Sequence, residues 1–319
     1  MPPNPTVALK ATAPARRTSG WITQMVADSM QANGIDAILF DINGTILDVE
    51  TEDWGRTTLR GVNRFLRYYG VHRRTSELVD IVRGALRAQI EASHEKYAEF
   101  DAVRLWARVL EILAEAEIED AAEGVDAGID DAEEMTHSRR LADPVTIELP
   151  KELSDPGLPL LLAQLQRALS RRRLRPYDGV TDVLAELQAK YRLGIVSDAQ
   201  WAYARHELEE SGLAGFFEIV VVSGDHGFRK PDPRLYQIAL DALKSTPART
   251  IFVGNDMHRD IFGPAQMGMK TIFTPTRFGD KEFPGAVPDY VARKFDDVVA
   301  GVAHIERLSG TSFRHRAAH

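Results

Sequence analysis

From Ala37 to Phe40 four apolar residues run directly into Asp41, and an Asn43-Gly44 turn follows before the chain becomes apolar again at Ile46-Leu47. An unbroken apolar run of this length predicts a strand buried on both faces, and a strand of that kind can deliver a carboxylate at its carboxyl end. The period then changes. Leu78, Val82, Leu86 and Ile90 recur at helical spacing, as do Val103, Trp106, Leu110 and Leu113, and 158–169 forms a further helical stretch. Trp106 is expected in the core of this helical block. From Val180 short apolar runs at 193–197, 218–223, 251–254 and 271–274 alternate with helical stretches at 183–190, 201–211, 233–243 and 261–269. Continuous β-branched runs with helical crossovers predict an α/β fold, a parallel sheet with helices on both faces. The 37–41 strand belongs to the same sheet, so the helical block is inserted into it.

This pattern divides the chain. Residues 1–29 are expected to be a disordered tail with a short helix, and 30–50 with 173–308 the α/β core. Residues 51–172 form a helical insertion, and 309–319 a basic tail that carries His315 and His319. Within the insertion, 115–134 holds ten carboxylates and no Lys or Arg, which suits a solvated segment; the spacing of a calcium loop is missing. The run SRRRLRPYDG is expected to be the hinge back into the core.

Composition narrows the choice of function. A formal charge of −8 argues against a general nucleic-acid binder, which needs a basic face. The chain has no cysteine, so disulfides, thiolate zinc sites and cysteine nucleophiles are excluded. No apolar run approaches the roughly 20 residues of a membrane span, and the first twenty residues lack the apolar core of a secretory signal. A cytoplasmic protein is expected.

Four predicted strand ends carry groups suited to a phosphoryl anion. The first ends in Asp41, followed by Asn43 and Thr45, and the second in Ser197-Asp198. Beyond the third lies Lys230, before Pro231, and the fourth leads into Asn255, Asp256 and Asp260. Each group alone has an ordinary explanation: a turn residue, a helix cap, a surface lysine, a solvated acid pair. All four at strand ends, in this order, are hard to explain as packing.

On these residues the chain resembles the haloacid dehalogenase-like (HAD) superfamily, made up mostly of phosphohydrolases. Asp41, Asn43 and Thr45 meet its Asp-x-Asp-x-Thr motif with one change; Ser197 meets the second motif and Lys230-Pro231 the third. Gly254, Asn255, Asp256 and Asp260 meet the fourth imperfectly. The resemblance implies a Rossmann-like core with a helical cap at 51–172. It also implies a small phosphorylated substrate, magnesium as cofactor, and an aspartyl-phosphate formed on Asp41. The catalytic set would be Asp41, Asn43, Thr45, Ser197 and Lys230, with Ser197, Asp198 and Lys230 on the phosphate. The metal ligands would come from Asp41, Asn43, Asn255, Asp256 and Asp260. Two departures matter. Asn43 cannot carry the proton that the family's second motif-I Asp carries, and such a loss costs about 10²–10⁴-fold. Asn255 stands where the fourth motif has its first Asp, with Asp256 a possible substitute. His226 or His258 is a candidate to supply the missing acid. Two other readings stay open: a phosphate- and magnesium-binding module without turnover, and a metal-independent dehalogenase in which Asp41 attacks carbon.

Overall fold

The structure is a computed structural model, and it describes residues 34–123 and 151–316. The expected N-terminal tail, most of the acidic segment and the last three residues lie outside the described residues.

Six parallel strands form the main sheet: β1 (Ala37–Phe40), β4 (Arg192–Ser197), β5 (Ile219–Val222), β6 (Thr250–Gly254), β7 (Lys270–Phe273) and β8 (Tyr290–Val291), in the order β5-β4-β1-β6-β7-β8. β1 is central, with Phe40 opposite Ile195 of β4 and Val253 of β6. Its alternate side chains enter different cores. Ile38 and Phe40 pack with Val183, Leu184, Val298 and Val302, whereas Ala37 and Leu39 pack with Leu235, Tyr236 and Leu240. Burial on both faces is why the strand reads as a continuous apolar run rather than an alternating one. The first face is covered by α5 (Val180–Gln188) and α9 (Asp297–Arg316), the second by α7 (Pro233–Ala242). The backbone of α9 continues to Arg316, past the end of the α/β core expected at 308.

Two short strands were not legible as such. β2 (Leu47–Thr51) and β3 (Arg171–Pro176) form a separate antiparallel ribbon, with Val49 opposite Leu174. β3 is mostly arginine, so it has no apolar alternation to detect; cross-strand ion pairs from Arg173 to Asp48 at 3.0 Å and to Glu50 at 2.6 Å accompany the pairing. The expected hinge is thus a strand pair that carries the chain into and out of the insertion.

The insertion comprises α1 (Arg56–Leu66), α2 (Thr75–Glu91), α3 (Ala102–Glu123) and α4 (Leu158–Ser170). They enclose a core of their own, with Leu59, Val62, Leu78, Val82, Leu113 and Leu162 around Trp106. The Trp106 indole donates to Gln166 Oε1 at 2.8 Å, which satisfies its one polar atom in an otherwise apolar setting. Ile90, at the end of the α2 stripe, is 36% exposed, because the buried face runs through Val79 and Ala85 instead. The acidic residues after Glu115 begin as the last turns of α3, in keeping with the helix propensity of Ala, Glu and Leu.

The insertion is fastened to the core beside β4 and β5. The Gln200 amide accepts from Ala102 N and donates to Phe100 O, both within 2.9 Å. Tyr97 and Glu99 exchange backbone hydrogen bonds with Arg229 and Gly227. Arg167 of α4 is buried against Glu207 of α6 (Trp201–Glu210) at 2.7 Å.

Candidate active site

β1 leads directly into Asp41, and the turn after it is built on Gly44, whose φ of +83° suits glycine. A Cβ at Gly44 would lie 2.6 Å from Asn255 Nδ2 and 3.0 Å from Phe278 Cβ, so the position is closed to side chains on steric grounds as well. The Thr45 hydroxyl returns to Asp41 Oδ2 at 3.1 Å and stands 3.0 Å from Asn255 Oδ1.

Asp41 Oδ1 accepts from Ser197 Oγ and from Lys230 Nζ, each at 2.8 Å. Lys230 also donates to Asp260 Oδ1 at 2.7 Å. It therefore bridges two carboxylates inside the protein, with its side chain 2% exposed. Burial works against the ammonium, but the charges of Asp260, Asp41 and Asp198 outweigh it and hold Lys230 protonated well above its ordinary range. Burial pushes the Asp260 carboxyl up to about 7; the Asp41 charge adds to this and Lys230 opposes it. The second oxygen of Asp260 accepts from the backbone N–H groups of Asn255 and Asp256, at 3.1 and 3.0 Å. Asp260 thus holds both the lysine and the turn after β6. The turn needs Gly254, since a Cβ there would lie 2.4 Å from Asp260 Cβ.

The structure brings Asp41, Thr45, Ser197, Lys230, Asn255 and Asp260 together in one hydrogen-bonded group. Asp256 is turned elsewhere. Its Oδ1 caps the π-helical turn Met257–Phe262, accepting from His258 N and Arg259 N, and its Oδ2 takes Arg259 at 2.7 Å and the Asp280 amide at 3.0 Å. Although burial raises the Asp256 carboxyl, these partners outweigh it and bring it down to about 2. The expectation that Asp256 replaces the missing metal ligand therefore meets a carboxylate already saturated with donors. Asp198 accepts from the Lys230 backbone N–H at 2.8 Å, which fixes that loop, and its other oxygen lies 3.5 Å from Arg229 and 3.4 Å from Arg259.

Asn43 Oδ1 is buried and has no hydrogen-bond partner among the described residues, an arrangement that costs about 1–3 kcal/mol unless a ligand supplies a donor or a cation. Asn43 lines a cavity of about 440 Å³ between the strand ends and the insertion, whose wall includes Trp54, Glu99, Phe100, Arg229 and Arg259. Its volume is within the usual range for small-molecule sites, about 300–1,000 Å³. Among the described residues no histidine lines it. His258 is stacked on Phe283 with centroids 4.1 Å apart, and His226 lines a different cavity. Neither candidate for the missing acid is therefore in the wall beside Asn43.

The oxygens of Asp41, Asn43 and Asn255 fit a hard cation such as magnesium in kind. The set has a single carboxylate, and among the described residues no group of three or more His, Cys, Asp or Glu is arranged to hold a metal. The amides would have to complete the ligand set.

Arg229, Arg259 and Glu99 had no role in the sequence reading. The available signal was adjacency, since Arg229 precedes Lys230 and Arg259 precedes Asp260. Glu99 had none, because it enters from the insertion.

Residues 35–268 match the haloacid dehalogenase-like hydrolase family, and the chain belongs to it. It is 34% identical over 110 residues to a glyceraldehyde 3-phosphate phosphatase of Methanothermobacter thermautotrophicus, covering 34% of this chain and 49% of the relative. It is 33% identical to pyrophosphatase PpaX of Bacillus mycoides, covering 40% and 60% respectively. The chain thus spans about half the length of the first and three-fifths of the second. A solved 2-haloacid dehalogenase from Pseudomonas syringae pv. Tomato DC3000 shares the fold, with a TM-score of 0.56 at 19% identity over 84% of this chain and 98% of the other.

Proposed function

We propose that this protein is a magnesium-dependent phosphohydrolase that acts on a small phosphorylated metabolite through an aspartyl-phosphate on Asp41. The observation that carries the reading is the Asp41 carboxylate at the end of the central strand, held by Ser197, Thr45 and Lys230. Phosphoryl transfer depends mainly on positioning and charge compensation, and this arrangement offers both.

Asp41 attacks phosphorus, which splits one difficult displacement into two easier ones. Lys230, kept protonated by its carboxylate neighbours, offsets the like charges of nucleophile and phosphate. Ser197 spends its hydroxyl proton on Asp41 and reorients toward a phosphoryl oxygen when substrate arrives. Asp198 acts indirectly, through the Lys230 loop. Magnesium, when bound by Asp41 with Asn43 and Asn255, would neutralise phosphoryl charge. The helical insertion serves as the cap that closes the cavity and selects the substrate. Asn43 slows this chemistry wherever the leaving group needs a proton.

The test is hydrolysis of p-nitrophenyl phosphate and a panel of phosphate compounds, with magnesium and with chelator. Metal-dependent turnover that disappears in Asp41→Asn is expected. A panel without any turnover counts against the reading and favours a binding module, a role to which the two amides at 43 and 255 lend some support.

A further inference from the structure

Asn43 leaves the departing group without a proton, and the cavity wall beside it sets three arginines, Arg167, Arg229 and Arg259, among the acids Asp53, Glu99 and Asp198. Arg229 and Arg259 both line the cavity that contains Asn43. Arg229 precedes Lys230, which compensates charge at Asp41, and Arg259 precedes Asp260, which holds Lys230. Their backbones are held in place. Arg229 N donates to Tyr97 O at 2.9 Å, and the next amide, Lys230 N, donates to Asp198. Arg259 is oriented by Asp256 at 2.7 Å and reaches Asp198 at 3.4 Å. Among the described residues Arg229 has one ion pair, a longer one of 3.5 Å to Asp198, and its charge also acts on Glu99; its side chain is 41% exposed, so its guanidinium retains donors for a ligand. Arg167, the third arginine of the wall, has all three of its nitrogens on Glu207 and Asp53 and is only 8% exposed, whereas the Arg259 side chain is 34% exposed. Glu99 faces the same space, but burial raises its carboxyl, and Ser223 Oγ holds one oxygen at 2.6 Å.

We propose that Arg229 and Arg259 form a subsite for a second phosphoryl group, so that the substrates are phosphoanhydrides and not alkyl phosphate esters. This rests on the phosphohydrolase reading and adds its substrate class. An alkyl ester leaves as an alkoxide and needs a proton that Asn43 cannot give. A phosphoanhydride does not. Asp41 forms a bond to the terminal phosphorus, and the bond from that phosphorus to the bridging oxygen breaks with its electron pair on that oxygen. The oxygen departs as part of a phosphate, which is stable unprotonated and is matched by two guanidinium groups. Water then attacks the phosphorus of the aspartyl-phosphate, the bond to Asp41 breaks, and the proton from water passes to the departing phosphate. One water and one diphosphate give two phosphates, with Asp41 restored.

The test compares kcat/KM with magnesium for inorganic pyrophosphate, acetyl phosphate and glycerol phosphate, in the wild type and in Arg229→Gln. The substitution removes one long ion pair from a half-exposed side chain, so the fold is expected to survive. Pyrophosphate is expected to exceed glycerol phosphate by roughly 10²–10⁴, the range a missing general acid costs. Arg229→Gln is expected to lower the ratio of pyrophosphate to acetyl phosphate by about tenfold or more, in line with loss of a charge-assisted contact. Calorimetry on Asp41→Asn adds a measurement free of turnover: pyrophosphate is expected to bind more tightly than orthophosphate, and Arg229→Gln to erase the difference. Hydrolysis of acetyl phosphate without pyrophosphate would overturn the anhydride assignment and leave the phosphohydrolase intact. Equal losses on both substrates in Arg229→Gln would also overturn it. No turnover of any compound would sink the phosphohydrolase reading, and with it the anhydride assignment; calorimetry would then decide the subsite alone.

Discussion

Thr45 Oγ1 stands 3.0 Å from Asn255 Oδ1 and 3.1 Å from Asp41 Oδ2, so it is the amide at 255, and not the carboxylate at 256, that comes to the strand end beside Asp41. For the proposed magnesium site, the consequence is a ligand set with little charge. Asn255→Asp is expected to strengthen magnesium binding about tenfold or more, because it adds a hard anionic oxygen where a neutral one stands. Asp256→Asn is expected to leave magnesium affinity within about twofold, since its carboxylate serves Arg259 and three backbone amides. Calorimetric titration with magnesium checks both. A larger effect at 256 than at 255 would reverse the assignment.

Asn43→Asp restores a proton carrier two residues after the nucleophile. Turnover of alkyl phosphates is expected to rise by about 10²–10⁴-fold, with a smaller gain on aryl or acyl phosphates, whose leaving groups need no proton. Steady-state kinetics on glycerol phosphate and p-nitrophenyl phosphate separate the two. Equal gains on both would mean that the substitution acts on binding or metal affinity instead.

Lys230 is enclosed between two carboxylates, and removing it leaves both buried without their cation. Lys230→Met is expected to abolish activity and to cost about 3–5 kcal/mol of stability. Urea unfolding followed by circular dichroism gives the second figure. A variant as stable as the wild type would mean that Asp41 and Asp260 do not depend on this ion pair.

Asp256 makes a pH-dependent contribution. Its carboxyl is brought from the ordinary 3.8 down to about 2 in the folded protein. A depressed value stabilises the fold above the unfolded pKa, and the benefit is lost as pH falls from about 4 through about 2. Its size is at most about 2 kcal/mol, less whatever solvent screening removes. The stability gap between wild type and Asp256→Asn is therefore expected to be constant from pH 7 to 5 and to shrink below 4, as read by urea denaturation at each pH. A gap that widened on acidification would contradict the sign.

The sheet was legible because its central strands are buried on both faces and punctuated by polar ends. The ribbon of β2 and β3 was not, since the arginines of β3 are matched by acids more than a hundred residues away. The strand ends and spacing singled out Asp41, Ser197, Lys230 and Asp260 as candidates, and the structure brings these four together. The choice between Asn255 and Asp256 could not be read from them. It depends on Arg259 and the amide of Asp280, which draw the carboxylate away from the nucleophile. Glu99 was invisible for a related reason: its place in the cavity wall comes from contacts of the insertion with Gly227 and Ser223, which no local pattern encodes.

Asp41 as the nucleophile is the central claim, and the most direct measurement is p-nitrophenyl phosphate hydrolysis in magnesium by the wild type and by Asp41→Asn. The Asn side chain keeps the shape of the site and removes the attacking carboxylate. Measurable turnover in the wild type, with a loss of at least about 10³-fold in the variant, is the predicted result. Turnover by Asp41→Asn close to that of the wild type would contradict it.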